Sequence, residues 1–153
     1  AGKEGRGSVK RPEHAESWHE DDCFCLRLKR ASEELMKAYM GALAPSGVTP
    51  VQHMILGKIH VCKGATLCEI AEAIGVDRST LARTIKPLVK EGYVLDARPA
   101  GARNCRLMLT EKGEQTFRQA HQLWEQEQDR VAAGLGKNGL SVFASFLQMM
   151  AGV

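Results

Sequence analysis

Basic and hydroxyl side chains recur along one face of a predicted helix near the middle of the chain. At about 100° per residue, Ser79, Arg83, Lys86 and Lys90 fall opposite a row of leucine and isoleucine. Arg and Lys donate hydrogen bonds to guanine O6 and N7 or to phosphates, and Ser and Thr serve either partner. This face suits the major groove of DNA, although a solvated surface helix has a similar composition. The contacts predicted on this helix are Arg78, Ser79, Thr80, Arg83, Thr84, Lys86 and Lys90.

A shorter predicted helix comes before the basic one and positions it. Thr66 and Glu69 have the T-x-x-E spacing of a capping box, and Gly75 is suited to end that helix with a positive φ. Asp77 then caps the basic helix. Two helices joined by a three-residue turn that contains glycine form a helix-turn-helix.

A basic hairpin is predicted directly after this pair of helices. Gly92 ends the basic helix, and residues 93–98 and 104–110 are predicted strands around a turn-rich tip. The hairpin carries Arg98, Arg103 and Arg106. Residues 78–106 hold seven basic and two acidic residues, a net charge of +5, whereas the whole chain carries only +3. A helix-turn-helix followed by a basic hairpin predicts a winged helix that binds DNA.

Two stretches carry a resemblance to a known family. The stretch RSTLARTIKPLVKEGYV from Arg78, with the wing after it, and LTEKGEQTF from Leu109 resemble the MarR family of bacterial transcription regulators. The resemblance covers roughly residues 22–150. It implies a mainly helical dimer with two winged lobes, often with a small-molecule pocket between the dimerisation helices and the DNA-binding lobe. Family wings often carry an acidic residue near the tip, where Ala100-Gly101-Ala102 stands here. We therefore expect Arg103 to be the tip contact and leave the bracing of the wing open.

The rest of the chain predicts helices on both sides of the winged segment. Thr49 and Pro50 begin the helix before it, and Thr110 caps a long helix that runs to about Val131, before a break at 134–139. Pro87 predicts a kink or a looser turn inside the basic helix. The expected fold is mainly α with a small β-hairpin wing. It comprises a flexible polar leader at 1–20 and a single domain at 21–153, with the winged helix-turn-helix at about 48–110 and dimerisation helices at about 21–43 and 111–151.

Apolar stripes on the terminal helices predict a homodimer. The first helix has apolar residues from Phe24 to Ala42 at alternating steps of four and three, and the last has a stripe from Leu140 to Met150. A small winged helix alone cannot bury both stripes, so they need each other or a second copy. No run of about 18 apolar residues indicates a membrane span, and no signal peptide is apparent. We therefore expect a cytoplasmic protein, in which the five cysteines are free thiols.

Cys23 and Cys25 open the first helix, where the helix N-terminus stabilises a thiolate. The stretch resembles the organic-peroxide-sensing branch of the family, in which a reactive cysteine followed by Phe starts this helix. Cys23 is the matching position. Cys25 could be the resolving thiol only if the first turn unwinds, because i and i+2 side chains point apart on a helix, so a bridge to a cysteine of another subunit or a mixed disulfide with a small thiol is easier. The match is partial, because Arg27 and Lys37 stand where that branch has tyrosines that bind the thiol. For Cys62, Cys68 and Cys105 we expect small buried apolar side chains.

Histidines raise the questions of metal and effector binding. His14 and His19 lie near Cys23 and Cys25, but Cys-x-Cys is not the spacing of common zinc sites, so we expect no metal and no cofactor. His53 and His60 are seven residues apart and share one face of the second helix. They could line an effector pocket or be half-buried polar residues, and we favour the second interpretation.

The sequence thus predicts a sequence-specific DNA-binding transcription regulator, a repressor whose dimer binds a pseudo-palindromic operator. Release would follow binding of a small aromatic or apolar effector, or oxidation of a thiol by peroxide. The chain has no P-loop, G-x-S-x-G, H-E-x-x-H or G-x-G-x-x-G motif, so we do not expect an enzyme. The alternatives are a thiol-dependent peroxidase built on Cys23 and a winged helix used only for protein contacts.

Overall fold

The computed structural model describes residues 23–152, which contain five α-helices and one two-stranded antiparallel hairpin. A short 3-10 turn joins the first two helices, and the predicted mainly α fold with a small wing is confirmed. The predicted leader at 1–20, with His14 and His19, and the first two residues of the predicted first helix lie outside the described residues. The elements are α1 (Phe24–Leu43), α2 (Pro50–Val61), α3 (Leu67–Ile74), α4 (Arg78–Lys90), β1 (Val94–Asp96), β2 (Leu107–Leu109) and α5 (Glu111–Ala151).

Helix ends follow the capping residues expected from the sequence. Thr49 and Thr66 each accept a hydrogen bond from the backbone N–H three residues later, and the side chains of Gln52 and Glu69 complete both capping boxes. Gly75 ends α3 with a φ of 74°. Gly136 has the non-helical angles φ 64° and ψ 175°, inside the predicted break, and interrupts α5 there.

The strands are shorter than predicted, and α4 passes through its proline. Only three pairs form the ladder, from Val94 opposite Leu109 to Asp96 opposite Leu107. Beyond them the Asp96 carboxylate accepts the backbone N–H of Arg106 at 2.9 Å, a group that a longer ladder would bond to a backbone carbonyl. Helix α4 runs from Arg78 to Lys90, so the exposed Pro87 does not break it.

One apolar core joins helices α2, α3 and α4, the hairpin and the first turns of α5. Leu81, Ile85 and Leu88, spaced along one side of α4, are 1%, 6% and 1% exposed. Full burial of such a side chain contributes about 1.5–3 kcal/mol, so this row fixes how α4 is rotated about its axis. The other buried members of the core are Val48, Ile55, Leu56, Ile59, Ala65, Ile70, Ala71, Val94, Leu107, Phe117 and Ala120.

Stacked rings join α2 to α5. The ring of His53 stacks on Phe117 and His121 at centroid distances of 5.6 and 5.5 Å, and it lies 5.7 Å from Trp124. The ring of His60 also packs against Phe117, at a centroid distance of 4.9 Å. His60 is half-buried as expected, whereas His53 is buried and 6% exposed. The two histidines are therefore structural partners of α5.

Hydrogen bonding in the stack leaves one buried nitrogen without a partner. His53 Nε2 lies 3.3 Å from His121 Nδ1, and His53 Nδ1 has no hydrogen-bond partner among the described residues. His60 Nδ1 lies 2.8 Å from Glu114 Oε2, and His121 Nε2 lies 3.7 Å from Glu125 Oε1. Burial, and to a smaller degree the neighbouring His121, lowers the pKa of His53.

The lowered pKa of His53 predicts a pH-dependent stability. The unfolded chain takes up this proton near the ordinary histidine pKa of about 6.5, and the folded chain only at lower pH. The contribution of His53 is therefore present above pH 6.5 and is lost as the pH falls below it. We expect the free energy of unfolding by urea to fall more steeply between pH 7 and pH 5 in the wild type than in His53→Phe.

The difference between the two slopes is bounded by one proton, about 1.4 kcal/mol per pH unit. His60, His121 and their carboxylate partners are present in both proteins, so the two chains differ in one ionisable side chain. Equal slopes in the two proteins would show that His53 does not titrate differently on folding.

The first turn of α5 is anchored at the base of the wing. Thr110 Oγ1 donates to the carbonyl of Gly92 at 2.6 Å, and its backbone N–H donates to the carbonyl of Tyr93 at 3.0 Å. The same hydroxyl accepts the N–H of Gly113 at 2.9 Å. A Cβ at Gly113 would lie 2.0 Å from the Tyr93 carbonyl oxygen, so only glycine fits.

Gly113→Ala should therefore destabilise the fold by about 1–3 kcal/mol or more, because backbone must move to admit the methyl group. Gly134→Ala is the matched control in the same helix, since nothing lies within 4 Å of a Cβ there. The control should be neutral or up to about 1 kcal/mol more stable. Denaturant unfolding of both variants measures the contrast, and similar stabilities would contradict the close approach to Tyr93.

Candidate nucleic-acid interface

The N-terminus of α4 is organised by Asp77. Its carboxylate accepts the backbone N–H of Thr80 at 2.9 Å and the hydroxyl protons of Ser79 and Thr80. These hydrogen bonds, the Ser79 hydroxyl first, hold the pKa of Asp77 well below its ordinary range. Because both hydroxyls donate to the same carboxylate, each has only oxygen lone pairs left to offer. In this arrangement Ser79 and Thr80 can accept from the amino groups of adenine or cytosine.

The side of α4 away from the core presents cations to solvent. Arg83, Lys86 and Lys90 are exposed on this side, and Arg78 is exposed in the first turn, about 140° around the helix axis from Arg83. Arg83 Nη2 donates to Thr80 Oγ1 at 3.4 Å, a long contact, and its guanidinium has no other hydrogen bond or ion pair among the described residues. Thr84 is half-buried, and its hydroxyl donates to the Thr80 carbonyl at 3.0 Å. All seven residues predicted on this helix lie in α4. The Thr84 hydroxyl proton is used by the helix backbone and does not point to solvent.

The three wing arginines divide into two braced residues and one free residue. Arg98 Nε lies 2.8 Å from Asp96 Oδ2, and Arg106 Nη1 donates to the carbonyl of Gly64 at 3.2 Å. Arg103 is exposed at the tip, and within residues 23–152 it has no hydrogen bond or ion pair. Arg103 is therefore the wing cation with all its donors available.

Asp96 supplies the bracing that the sequence left open. Its Oδ1 accepts the backbone N–H groups of Arg106 at 2.9 Å and Arg98 at 3.1 Å, one from each arm of the hairpin. The Arg106 N–H, and then the backbone and charge of Arg98, lower the pKa of this carboxyl. Sequence reasoning missed this residue because it searched for an acid at the tip. An acid two residues before Arg98 was the available signal.

The candidate sensing residues lie apart from this basic face in the sequence. Cys23 is half-buried and directly precedes α1, and its carbonyl accepts the N–H of Arg27 at 3.0 Å. Cys25 is exposed. The hydroxyl of Tyr39 donates to Gln128 Oε1. No group of three or more His, Cys, Asp or Glu suited to a metal ion occurs in the described part of the chain.

Both the sequence and the architecture are similar to those of known regulators. The MarR family profile matches residues 48–96. The crystal structure of the M. tuberculosis transcriptional regulator MosR in complex with DNA is 35% identical, with a TM-score of 0.70, and the match covers 84% of this chain and 96% of that one. The chain belongs to the MarR family.

Other MarR-like relatives agree with this assignment. The transcriptional repressor CouR bound to a 23-mer DNA duplex is 27% identical, with a TM-score of 0.77, over 86% of this chain and 94% of that one. The HTH-type transcriptional regulator BilQ of Clostridium symbiosum is 31% identical over 88 residues. That match covers 57% of this chain and 61% of BilQ, so it spans less than two thirds of the curated relative. Within the described residues of this MarR-family chain, no helix is both long and apolar enough to cross a bilayer.

Replacing Asp96 separates bracing of the wing from its charge. By Coulomb's law alone, removing an acid from a basic face should strengthen binding to DNA. We expect the opposite for Asp96→Ala, because both arms of the hairpin lose their shared acceptor and Arg103 loses its fixed position.

Asp96→Asn is the matched control, since it keeps an acceptor oxygen and removes the charge. We expect fluorescence anisotropy with duplex DNA to rank affinity as Asp96→Asn at or above wild type, and Asp96→Ala below both. Tighter binding by Asp96→Ala would mean that charge outweighs bracing.

Proposed function

We propose that this protein is a sequence-specific DNA-binding transcription regulator that acts as a repressor. The observation that carries the proposal is the exposed cation face of α4 together with the free Arg103 on a braced wing. Arg and Lys placed this way can contact base edges and phosphates, as direct recognition in the major groove requires. The family assignment supports the proposal, because MosR and CouR are both known in complex with DNA.

A second copy of the chain is the expected assembly partner. In residues 23–35, Phe24, Leu28 and Leu35 are 82%, 44% and 38% exposed. In the last part of α5 an open groove of about 520 Å³ is lined by apolar side chains, among them Val142 and Phe143. Soluble monomers rarely leave large contiguous apolar patches exposed, so these faces favour a homodimer. The other exposed apolar residues of that part of α5 are Leu135, Leu140, Leu147, Met149 and Met150.

A two-fold dimer defines the form of the operator. Two α4 helices related by such an axis contact major grooves one helical turn apart, so half-site centres should be about 10 base pairs apart or a multiple of that. We place the protein in the cytoplasm with its DNA and assign it no catalytic role. The signal that releases it would be a small apolar or aromatic effector, or oxidation at Cys23. The similar repressor CouR is also known bound to p-coumaroyl-CoA, an aromatic thioester.

Arg83 and Arg103 should contribute differently to DNA binding. If Arg83 contacts a base, Arg83→Ala should cost about 1–3 kcal/mol at the operator and reduce discrimination against other sequences. Arg103→Ala should weaken binding more evenly across all DNA sequences. Arg118→Ala is the matched control, because Arg118 is an exposed cation on α5 outside the basic face.

Titrations at several salt concentrations complete the test. If roughly six to ten phosphates are neutralised per dimer, log K should fall against log[salt] with a slope of about −5 to −9. If Arg83→Ala binds the operator as tightly as the Arg118→Ala control, Arg83 does not contact the DNA. Affinity that does not depend on salt would favour a protein-contact role.

The redox form of the proposal predicts an effect at Cys23. Stoichiometric organic peroxide should release wild-type protein from the operator more completely than the Cys23→Ser variant, because thiolates are the groups that peroxides attack. Operator binding before and after treatment measures this. If peroxide weakens both proteins equally, Cys23 is not the sensing thiol; if it weakens neither, the effector form of the proposal stands. Repeated turnover of peroxide with a thiol reductant would instead favour a peroxidase.

A further inference from the structure

Two cysteines from distant parts of the sequence line one small cavity. Cys68 belongs to the first turn of α3, and Cys105 lies in the return arm of the wing, just before β2. Both line a cavity of about 110 Å³, whose wall also includes Arg78 and Asn104. A cavity of this volume holds only a few water-sized molecules. The site therefore admits a small reactant and brings two thiols to it.

Backbone hydrogen bonds hold the segment before α3 beside the return arm of the wing. Leu107 N–H donates to the Ala65 carbonyl at 3.0 Å, and Gly64 N–H donates to the Leu107 carbonyl at 3.1 Å, so the two segments are antiparallel. Arg106 also donates to the Gly64 carbonyl. Two residues outward from this bridge the chain reaches Cys105 on one segment and Leu67, the first residue of α3 and the neighbour of Cys68, on the other.

The exposures of the two thiols differ from the sequence expectation. All three of Cys62, Cys68 and Cys105 were expected to be buried apolar side chains, but Cys68 is exposed and the other two are half-buried. That expectation was wrong for Cys68, because it stands on the outer side of α3 while Ile70 and Ala71 take the core positions. Cys68 is thus the thiol that solvent-borne reactants meet first, and Cys105 is the one behind it.

We propose that Cys68 and Cys105 form a peroxide-sensitive dithiol site that closes to a disulfide. The Cys68 sulfur attacks one oxygen of a small hydroperoxide, the O–O bond breaks, and water or an alcohol leaves with the thiol proton. The resulting sulfenic acid of Cys68 is attacked by the Cys105 thiol, which forms the S–S bond and releases water. Two thiols lose two electrons in total, and the hydroperoxide is reduced to an alcohol and water. Arg78, in the wall of the cavity, can donate hydrogen bonds to the leaving oxygen.

The bond would change the DNA-binding face. It would tie the return arm of the wing to α3 and close the cavity that Arg78 borders. Arg103, two residues before Cys105, would move with that arm. Because the reduced geometry is the one proposed to fit DNA, oxidation should weaken operator binding. This consequence rests on the proposed function, whereas formation of the disulfide does not.

The test uses the full chain with Cys23, Cys25 and Cys62 replaced by serine, so that only the pair remains. Stoichiometric hydrogen peroxide should remove both titratable thiols and lower the intact mass by about 2 Da. Peptide mapping should join the Cys68 peptide to the Cys105 peptide within one chain, and dithiothreitol should reverse the change. Peptide mapping of oxidised and alkylated wild-type protein serves as a second measurement. It keeps the test valid if the serine variant does not fold. Adding Cys105→Ser should leave Cys68 as a sulfenic acid that dimedone traps.

Oxidation of Cys68 to sulfinic acid while Cys105 remains a free thiol would overturn the proposal, as would two thiols that survive peroxide unchanged. Operator binding is measured on the same reduced and oxidised samples. If the reduced protein does not bind DNA but the disulfide forms, the proposed function fails and the dithiol site stands. If reduced protein binds DNA and no disulfide forms, only the dithiol site fails.

Discussion

Burial of one apolar row on α4 determines what the rest of the structure can do. Leu81, Ile85 and Leu88 are almost completely removed from solvent, and each contributes on the order of 2 kcal/mol through that burial. Rotating the helix far enough to hide its cations would expose the row and leave charged groups in the core. The basic face of α4 therefore points to solvent, because the opposite face packs in the core. Asp77 then sets the start of the helix and the direction of the two hydroxyls next to it.

The wing depends on a second set of contacts that begins at the same core. Val94 and Leu107 bury one side of the hairpin, and Asp96 holds its two arms together above them. Thr110 and Gly113 then fasten the base of the wing to α5 through the carbonyl of Tyr93. Helix α4, the wing and helix α5 are thus consecutive parts of one packed unit. A change in α5, where the His53 stack also packs, has a physical route to the basic face.

Local signals explain what the sequence could predict. Capping boxes at Thr49 and Thr66, the Asp77 cap and the positive φ of Gly75 involve residues within three or four positions of one another, so spacing alone revealed them. The row and the cation face of α4 followed from helical periodicity in the same way. These features, with the resemblance to one family, were enough to predict the fold and the basic face of α4.

Contacts between distant residues explain what the sequence could not predict. Asp96 is a brace because Arg106, ten residues later, returns beside it, and the shortened strands have the same origin. Cys68 and Cys105 share a cavity because Ala65 pairs with Leu107, 42 positions away. The burial of His53 depends on three rings of α5. In each case the residue type was visible, but the partner was fixed only by packing.

The central claim is that two copies of this basic face bind one duplex with two-fold symmetry. Selection of bound fragments from a genomic library by the purified full chain tests it most directly. The account predicts enrichment of a pseudo-palindrome whose half-site centres lie about 10 base pairs apart, or a multiple of that. Enrichment of no sequence, or of a single motif without an inverted repeat, would contradict it.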